Sequence, residues 1–371
     1  MKILYGIQAT GNGHLTRAHL LAPYLRQAGI TACYLLSGRP REDLFDVGEF
    51  GHFEHRDGLT FCFENGRLKY WRTLIHNQKK RFIRDLNAMD LSEFDLVISD
   101  YEPITAWAAK LQSKPSIGLG HQYAFEYNIP RVKTRLPTEL FLRHLAPTDH
   151  SLALHWRRYT CHMLPPMVDV ISQIKVTESN KILVYLPFED LTSVRRLLAQ
   201  FDGYRFYLYH PDIKSSSVEQ VVLRAPSRTT FAQDLKSCTG VICNAGFELP
   251  SEALHFGKKL WVKPLSGQPE QMSNALALRQ LGLAESADHL SYKALCHWLE
   301  NGNRVQAHFP NVPEAIAQWL KRGGWESDNT QWLDKLWQNV SYAPVASLSA
   351  NAISRQSVIH RPIERSAVPG A

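Results

Sequence analysis

The sequence CNAGFELPSEALHFGKKLWVKPLSGQPEQMSNALAL, residues 243–278, has the order of apolar and polar segments expected of a strand, a helix and a second strand. Gly246 and Phe247 are predicted to end a buried strand, and Pro250 suits the first turn of the helix that follows. The apolar run at 259–264 is predicted to be the next strand. A strand, a helix and a second strand in this order form a βαβ unit of a parallel sheet. The backbone N–H groups at the start of such a helix can hold a diphosphate.

The same alternation of strands and helices extends in two blocks over most of the chain. Buried strands are predicted at 1–8, 31–38, 94–100 and 115–121, and a second block of alternating elements starts at 181–190. Parallel sheets arise from such alternation. We therefore predict an α/β protein with two Rossmann-like domains that face each other across a cleft.

The length of the chain agrees with this organisation. A chain of 371 residues exceeds one ordinary hydrophobic core and suggests two domains. The predicted parts are an N-terminal domain at 1–165, a C-terminal domain at 180–325, a C-terminal helix at 326–340 and a flexible tail at 341–371.

The composition is that of a soluble globular protein. Hydrophobic residues make up 44% of the chain and charged residues 21%. No apolar run approaches the roughly 20 residues of a membrane span, and the N-terminus lacks the apolar block of a signal peptide. The six cysteines are scattered without CxxC spacing, which is typical of reduced thiols. The prediction is a cytoplasmic protein.

The formal net charge of +7 indicates an anionic partner: a nucleic acid, a membrane surface or an anionic substrate. Basic residues cluster at Lys79, Lys80, Arg81 and Arg84. No nucleic-acid motif or interleaved stacking aromatics accompany them, so a solvated helix face explains the run better. We therefore predict no nucleic-acid partner.

Residues 240–282 resemble the donor-binding motif of GT-B inverting glycosyltransferases. This superfamily includes the UDP-glycosyltransferases and the N-acetylglucosaminyltransferase of peptidoglycan synthesis. The spaced elements NAGFELPSEAL, GQPEQ and NA are most similar to a little-characterised bacterial and archaeal branch of predicted glycosyltransferases. The two-domain layout extends the resemblance over roughly residues 1–330. It implies transfer of a hexosyl group from a nucleoside diphosphate sugar, with UDP expected, to a hydroxyl acceptor.

The resemblance implies a donor site in the C-terminal domain. Glu252 stands at the position of the family's ribose-binding glutamate, although it can also merely complement a helix N-terminus. Glu270 and Gln271 match the pair that binds donor-sugar hydroxyls, and a polar helix start is the alternative. The expected donor-side residues are Gly13, Arg17, Arg228, Asn244, Gly246, Phe247, Glu248, Ser251, Glu252, Gln268, Glu270 and Gln271.

One position departs from the family pattern. Many relatives have a phosphate-contacting histidine just before the motif glycine, and this chain has Asn244 there. An amide can donate to phosphate without carrying charge, so the compensating charge is expected from backbone dipoles or from Arg17 or Arg228. The segment at 224–231 falls where relatives enclose the nucleotide base.

The opening stretch ATGNGHLTRA, residues 9–18, contains a second candidate site. Gly11 and Gly13 lie between a strand and a helix, where glycine permits tight dihedrals and close backbone approach. Two interpretations remain open. The turn either carries a solvated His14, or it forms an active-site loop at the carboxyl end of the first strand.

Inverting transfer needs a base for the acceptor hydroxyl as that hydroxyl attacks the anomeric carbon. Histidine suits this work because its ordinary pKa lies near neutrality. In the resembling family the histidine after the first glycine-rich turn is the base, and His14 aligns with it. Asp100 matches the aspartate that orients this histidine in several relatives. The alternative is that His14 only lines the phosphate pocket.

The acceptor side is predicted from the first block. His121, Gln122 and Tyr123 follow a strand end and are expected at the cleft rim. The aromatic and basic segment at 58–73 fits a sugar-stacking or lipid-facing loop, and a core hairpin fits equally well. A lipid-linked or cell-envelope glycan is one expected acceptor, with weak peripheral contact at the inner face of a membrane. The segments at 139–147 and 154–159 fit contact with an anionic membrane surface, but an internal amphipathic helix explains them better.

Several other classes are excluded or kept as alternatives. No metal site or DxD pair is found, and GNGHLT lacks the third glycine of a nicotinamide-binding turn. We expect no cofactor beyond the donor substrate. A nucleotide-sugar 2-epimerase, which would convert the donor without an acceptor, and a non-catalytic nucleotide-sugar-binding protein remain alternatives.

Overall fold

The structure is a computed structural model of the chain. It describes in full residues 1–44, 46–59, 80–133, 139, 142–171, 178–215, 220–327 and 330–345, and the backbone of residues 63–64, 67–68 and 79.

A seven-stranded parallel sheet forms the core of the N-terminal half, in the spatial order β3-β2-β1-β6-β7-β8-β9. The strands of this half are β1 (Lys2–Gln8), β2 (Thr31–Ser37), β3 (Phe53–His55), β4 (Phe63–Glu64), β5 (Arg67–Leu68), β6 (Leu96–Asp100), β7 (Ser116–Gly120), β8 (His150–Leu154) and β9 (Met163–Leu164). The pair β4 and β5 is a separate antiparallel hairpin. The helices are α1 (Asn12–Gln27), α2 (Lys79–Asn87) and α3 (Pro103–Leu111), followed by a 3₁₀ segment at His121–Glu126.

A six-stranded parallel sheet forms the second half, in the spatial order β12-β11-β10-β13-β14-β15. Its strands are β10 (Lys181–Tyr185), β11 (Arg205–Tyr209), β12 (Val221–Arg224), β13 (Gly240–Asn244), β14 (Lys259–Lys263) and β15 (Glu285–Ser286). Its helices are α4 (Leu191–Leu198), α5 (Arg228–Ser237), α6 (Glu248–His255), α7 (Pro269–Gln280), α8 (Tyr292–Asn301) and α9 (Val312–Lys321). Both sheets therefore have the doubly wound order, and the predicted pair of Rossmann-like units is confirmed.

Both sheets change their winding direction at one point. In the first sheet this is the gap between β1 and β6, and in the second it is the gap between β10 and β13. Ligands bind at such switch points, outside the carboxyl ends of the strands. The predicted site segments follow these strands, which is why the topology gathers them.

Local sequence explains how α3 begins. Glu102 is the N-cap, and its carboxylate accepts hydrogen bonds from the backbone N–H of Ile104 at 3.0 Å and of Thr105 at 2.7 Å. Pro103 occupies the first turn, where its missing N–H costs nothing. The capping carboxylate and the proline together fix the start of the helix that follows β6.

The end of the described chain corrects one part of the predicted tail. Residues Ser341–Pro344 form β17, which pairs antiparallel with β16 (Val305–His308). It follows α10 (Gln331–Gln338), which lies in the predicted C-terminal helix. Backbone pairing with β16 orders these four residues, although their sequence lacks apolar periodicity. The rest of the predicted tail, from residue 346, lies outside the described residues, and the domain boundaries stay a prediction.

Candidate functional site

A cavity of about 1460 Å³ lies between the two sheets and is lined by residues of both. The carboxyl ends of the central strands open into it. The predicted site residues that line it are Gly13, His14, Gln122, Arg228, Asn244, Gly246, Phe247, Glu248, Glu252, Gln268, Glu270 and Gln271.

Five predicted site residues are not part of this lining. Arg17, Asp100, His121, Tyr123 and Ser251 are all buried behind the cavity wall. Their side chains therefore act on other protein groups rather than on a ligand in the cavity.

The structure brings His14 and Asp100 together. Asp100 is the last residue of β6 and pairs in register with Ile7 of β1, so the turn after β1 lies beside it. Nδ1 of His14 lies 2.6 Å from Oδ1 of Asp100. Nη2 of Arg17 also lies 3.0 Å from Nδ1, but the shorter contact is with a carboxylate, which only accepts, so we assign the hydrogen to Nδ1 and the lone pair to Nε2. The His14 side chain is 13% exposed and lines the cavity, whereas Asp100 is fully buried.

Asp100 is held as a carboxylate by its neighbours. Burial favours the neutral acid, but the positive charge of Arg17 and the contact with His14 outweigh it and lower the pKa of Asp100. Nε of Arg17 donates to Oδ2 of Asp100 at 2.8 Å, and a second Arg17 nitrogen contacts Oδ1. The hydroxyl of Tyr5 lies 3.4 Å from Oδ2. An ionised Asp100 can fix the orientation of the His14 ring.

The residue after Asp100 has a strained backbone. Tyr101 has φ of 53°, in the left-handed region that non-glycine residues adopt at a cost of about 1–3 kcal/mol. Its hydroxyl donates to the carbonyl of Leu142 at 2.6 Å, and its side chain lines the cavity. No sequence signal predicts this conformation.

The structure contradicts the prediction that Arg17 contacts the phosphates. Its side chain is 1% exposed and forms ion pairs with Asp100 and with Glu248 of the second domain. Two carboxylates compete for this guanidinium, so it is directed away from a diphosphate in the cavity.

The glycine turn before Arg17 is explained by close approach rather than by unusual dihedrals. Gly11 caps α1 with φ of −114°, which any residue can adopt. A β-carbon at Gly13 would collide with the carboxylate of Glu248. Glycine at position 13 thus lets α6 of the second domain touch the first turn of α1.

The loop between β13 and α6 begins earlier than the sequence predicts. The strand ends at Asn244, so Gly246 and Phe247 belong to the turn. Asn274 donates to the carbonyl of Ala245 at 3.0 Å and so holds the turn. A β-carbon at Gly246 would meet no heavy atom within 4 Å, which leaves open space where the loop faces the cavity.

The side chain of Asn244 does not offer the N–H group to a phosphate that the sequence suggests. Its Nδ2 donates to the carbonyl of Lys263 at 3.1 Å and lies 3.4 Å from Oε1 of Glu189. Its Oδ1 is buried without a hydrogen-bond partner among the described residues. The free atom is therefore an acceptor, which would not bind phosphate. Glu189 is itself paired with Lys263 at 2.6 Å.

Ser251 supports the loop from behind. Its hydroxyl donates to the carbonyl of Phe247 at 2.7 Å and accepts from Nε1 of Trp156, in the first domain, at 2.9 Å. Because Ser251 is completely buried, the predicted donor contact is replaced by a structural role.

Glu252 is a carboxyl residue of the cavity lining. It lines the cavity on α6, and its carboxyl group forms no hydrogen bond with any described residue. Burial raises the pKa of Glu252 to about 7, although the charge of Arg228 opposes the shift. A carboxyl that is half ionised near neutrality can respond to a ligand by losing its proton.

The GQPEQ segment starts α7. Gln268 caps the helix because its side-chain oxygen accepts from the backbone N–H of Gln271 at 2.6 Å. Oε1 of Gln271 accepts from the backbone N–H of Leu265 at 3.1 Å. Glu270 accepts from Nε2 of Gln122 at 3.1 Å across the cleft. Glu270 is thus the member of this segment whose carboxylate meets the first domain inside the cavity.

The structure contradicts the prediction that His121 and Tyr123 lie at the rim of the cleft. The chain turns at the 3₁₀ segment after β7 and places both rings beneath the surface. Nδ1 of His121 lies 2.8 Å from the carbonyl oxygen of Leu154, and the Tyr123 hydroxyl donates to the carbonyl of Ala146 at 3.0 Å. Of the three, Gln122 alone lines the cavity.

Arg228 and Arg39 are two of the arginines that line the cavity. Arg228 lies 3.4 Å from Asp46 of the first domain, so an ion pair crosses the cavity mouth. Arg39, which the sequence analysis missed, donates to the carbonyl of Thr10 at 3.1 Å and forms no ion pair with a described residue. Its position after β2, at the carboxyl edge of the sheet, is the signal that could have identified it.

Most of the segment at 58–73 lies outside the described residues. Within the part of the chain that is described, no group of three or more His, Cys, Asp and Glu residues is arranged to hold a metal ion. In the same part, no helix has the length and apolar character needed to cross a membrane.

A family model described as glycosyl transferase family 1 matches residues 1–302. No curated protein sequence matches the chain.

Solved glycosyltransferases have a similar fold. SnogD from Streptomyces nogalater is 15% identical and has a TM-score of 0.53, with 91% of this chain and 99% of that chain covered. SsfS6 from Streptomyces sp. SF2575, complexed with thymidine diphosphate, is 13% identical with a TM-score of 0.56 and the same coverage. The spinosyn rhamnosyltransferase SpnG is 13% identical with a TM-score of 0.53, with 91% and 96% covered. The predicted GT-B fold is confirmed.

Proposed function

Because this chain belongs to glycosyl transferase family 1, we propose that it transfers a hexosyl group from a nucleoside diphosphate sugar to a hydroxyl acceptor with inversion. The observation that carries the proposal is the His14–Asp100 contact of 2.6 Å beside a cavity between two Rossmann-like sheets. A histidine ordered by a buried carboxylate, with its other nitrogen available, is suited to general-base work.

In the proposed reaction His14 accepts the acceptor's hydroxyl proton at Nε2. The oxygen forms its bond to the anomeric carbon while the bond from that carbon to the diphosphate oxygen breaks. The nucleoside diphosphate leaves with the bonding electrons from the opposite face of the sugar, so the configuration inverts. Asp100 stabilises the imidazolium that forms, as the aspartate does in a hydrolase triad.

The donor is proposed to bind mainly to the second domain. The N-terminal end of α6 offers backbone N–H groups to the diphosphate beside the open space at Gly246. Arg228 and Arg39 supply positive charge at the same cavity, in place of the buried Arg17. Glu252 is proposed to accept from the ribose hydroxyls, and Glu270 from hydroxyls of the donor sugar.

We propose UDP as the nucleotide. The solved SsfS6 structure contains thymidine diphosphate, another pyrimidine nucleoside diphosphate. The acceptor is proposed to be a hydroxyl of a lipid-linked or cell-envelope glycan. The cytoplasmic face of a membrane, touched weakly and peripherally, is the corresponding place of action. No metal or cofactor takes part in the proposed chemistry.

The experiment combines a donor screen with product analysis. Calorimetry with UDP, TDP and GDP sugars selects the donor, and turnover with extracted cellular glycans selects the acceptor. Proton NMR of the anomeric signal then compares donor and product. An inverted linkage supports the proposal, and a retained one contradicts it. Conversion of the donor alone into a sugar isomer would indicate an epimerase instead.

A further inference from the structure

Glu248 lies on the donor-side domain but is directed toward the catalytic machinery of the other domain. It is the first residue of α6, and its carboxylate contacts the guanidinium of Arg17 and occupies the space that a β-carbon at Gly13 would need. The Glu248 side chain is 17% exposed. The pair joins residues that are 231 positions apart in the chain.

Arg17 connects this carboxylate to the dyad. Its Nη1 contacts Glu248, while its Nε donates to Oδ2 of Asp100 at 2.8 Å. Asp100 in turn accepts from His14. The four side chains form a charge chain, His14–Asp100–Arg17–Glu248, that begins in one domain and ends in the other.

The net charge of Asp100, Arg17 and Glu248 affects how strong a base His14 is. Asp100 and Glu248 are negative and Arg17 is positive, so the three groups beside His14 carry one net negative charge. Without Glu248 the guanidinium would cancel the charge of Asp100. A neutral Asp100–Arg17 pair stabilises an imidazolium at His14 less than the three groups together do, because the three carry one net negative charge.

The position of Glu248 also argues against a role as a donor ligand. A free carboxylate at the first residue of α6 would repel a diphosphate held at the same helix start. Pairing with Arg17 turns this charge toward the other domain.

We propose that Glu248 is a positioning residue for the His14 base, acting through Arg17 and Asp100, so that the base reaches full strength only when the two domains are closed. This inference rests on the proposed function. It assigns to a donor-domain residue a part in the proton transfer, and it couples donor-domain closure to chemistry.

Other titratable groups face the same charge chain. Tyr5 of β1 lies 3.4 Å from Asp100, and the charge of Glu270 on α7 favours the Arg17 cation. His121, which follows β7, also feels the charge of Arg17. These groups are unchanged in the variants below, so a difference between variants reports on Glu248.

The test uses the full chain, with Glu248→Gln as the main variant. The amide keeps the shape and removes the charge. We expect kcat to fall about tenfold, the order that one unit charge exerts across roughly 10 Å at an effective dielectric constant of about 20. The ascending limb of the pH profile of kcat/KM should move to lower pH by about one unit. The donor Kd should stay within about twofold.

Gly13→Ala is the second variant, because its β-carbon displaces the Glu248 carboxylate from Arg17 without removing it. Both kcat and the ascending limb should change in the same direction as in Glu248→Gln, by a smaller amount. The matched control is Tyr24→Phe. It removes the 2.9 Å contact between the same helix α1 and Asn311 of the second domain but changes no charge near His14. Its pH profile should equal that of the wild type.

An unmoved ascending limb in Glu248→Gln would overturn the inference, as would a loss of donor affinity with unchanged kcat. A shift of the ascending limb of equal size in Tyr24→Phe would mean that any weakening of the contact between the domains has the same effect, and this too would overturn the inference. The proposed function is judged separately with His14→Ala. If that variant keeps full activity, the base assignment fails; if only Glu248→Gln behaves like the wild type, the inference alone fails.

Discussion

The imidazole of His121 stacks on the phenyl ring of Phe247, with ring centroids 4.2 Å apart and planes inclined by 7°. His121 belongs to the first domain and Phe247 to the donor loop of the second. Nε2 of His121 also lies 2.6 Å from Oδ1 of Asn274, which holds the carbonyl of Ala245 in the same loop. The first domain thus supports the loop that is proposed to meet the diphosphate.

Replacing His121 should therefore weaken donor binding from behind the cavity wall. We expect His121→Ala to lower the free energy of unfolding by about 2–4 kcal/mol, through lost packing and lost hydrogen bonds, and to raise the donor KM. His121→Phe keeps the stack and should cost about 1–3 kcal/mol. Urea unfolding and steady-state kinetics measure both effects. A folded His121→Ala with wild-type donor KM would contradict the supporting role.

Gly246 is predicted to be needed for ligand space and not for folding. Since its β-carbon would meet no heavy atom within 4 Å, Gly246→Ala should keep the thermal midpoint. Donor affinity should fall about tenfold because the methyl group occupies the approach to the helix start. Gly48→Ala is the control, because its β-carbon also meets nothing and Gly48 lies outside the cavity lining. Equal donor affinity in both variants would remove Gly246 from the proposed phosphate site.

Glu252 should make donor binding depend on pH. The pKa of Glu252 is raised to about 7 by burial, and the ionised form is the better acceptor for ribose hydroxyls. Affinity should therefore rise as the pH increases through 7. Calorimetry with an intact nucleoside diphosphate sugar avoids titration of a terminal phosphate.

In Glu252→Gln this pH dependence should disappear, and binding should weaken by about 1–3 kcal/mol at high pH. Glu300→Gln, at an exposed carboxyl outside the cavity, should retain the wild-type slope. If the wild-type affinity does not change between pH 6 and pH 8, the ribose assignment of Glu252 is wrong.

Buried histidines should make the fold sensitive to acid. Burial lowers the pKa of His155 to about 3, below its ordinary value of 6.5. The unfolded chain then binds more protons than the native one, so stability is present above pH 6.5 and is lost as the pH falls toward 3. From pH 7 to pH 5 this one group should remove about 2 kcal/mol. His155→Gln should flatten that slope, whereas His289→Gln, at an exposed site, should not.

The sequence predicts the sheets well because buried parallel strands leave a strong apolar signal. It also places His14 just after one predicted strand and Asp100 at the end of another, at the carboxyl edge where such sheets bind ligands. Their contact then follows from the register of Ile7 with Asp100.

What the sequence could not provide is the direction of individual side chains. His121 and Tyr123 turn inward because a 3₁₀ segment follows β7, and no periodic pattern marks so short an element. The ion pair of Arg17 with Glu248 depends on how two domains dock, which local patterns do not encode. The free oxygen of Asn244 depends in the same way on Lys263 of the next strand.

His14 is proposed to be the base, and a comparison of chemistry with binding in His14→Ala tests this role. We predict a donor Kd within about twofold of the wild type, a kcat lower by roughly 10²–10⁴, and no ascending limb in the pH profile of kcat/KM. A variant that loses donor affinity and keeps its pH profile would contradict the account, because His14 would then be a phosphate ligand and another group the base.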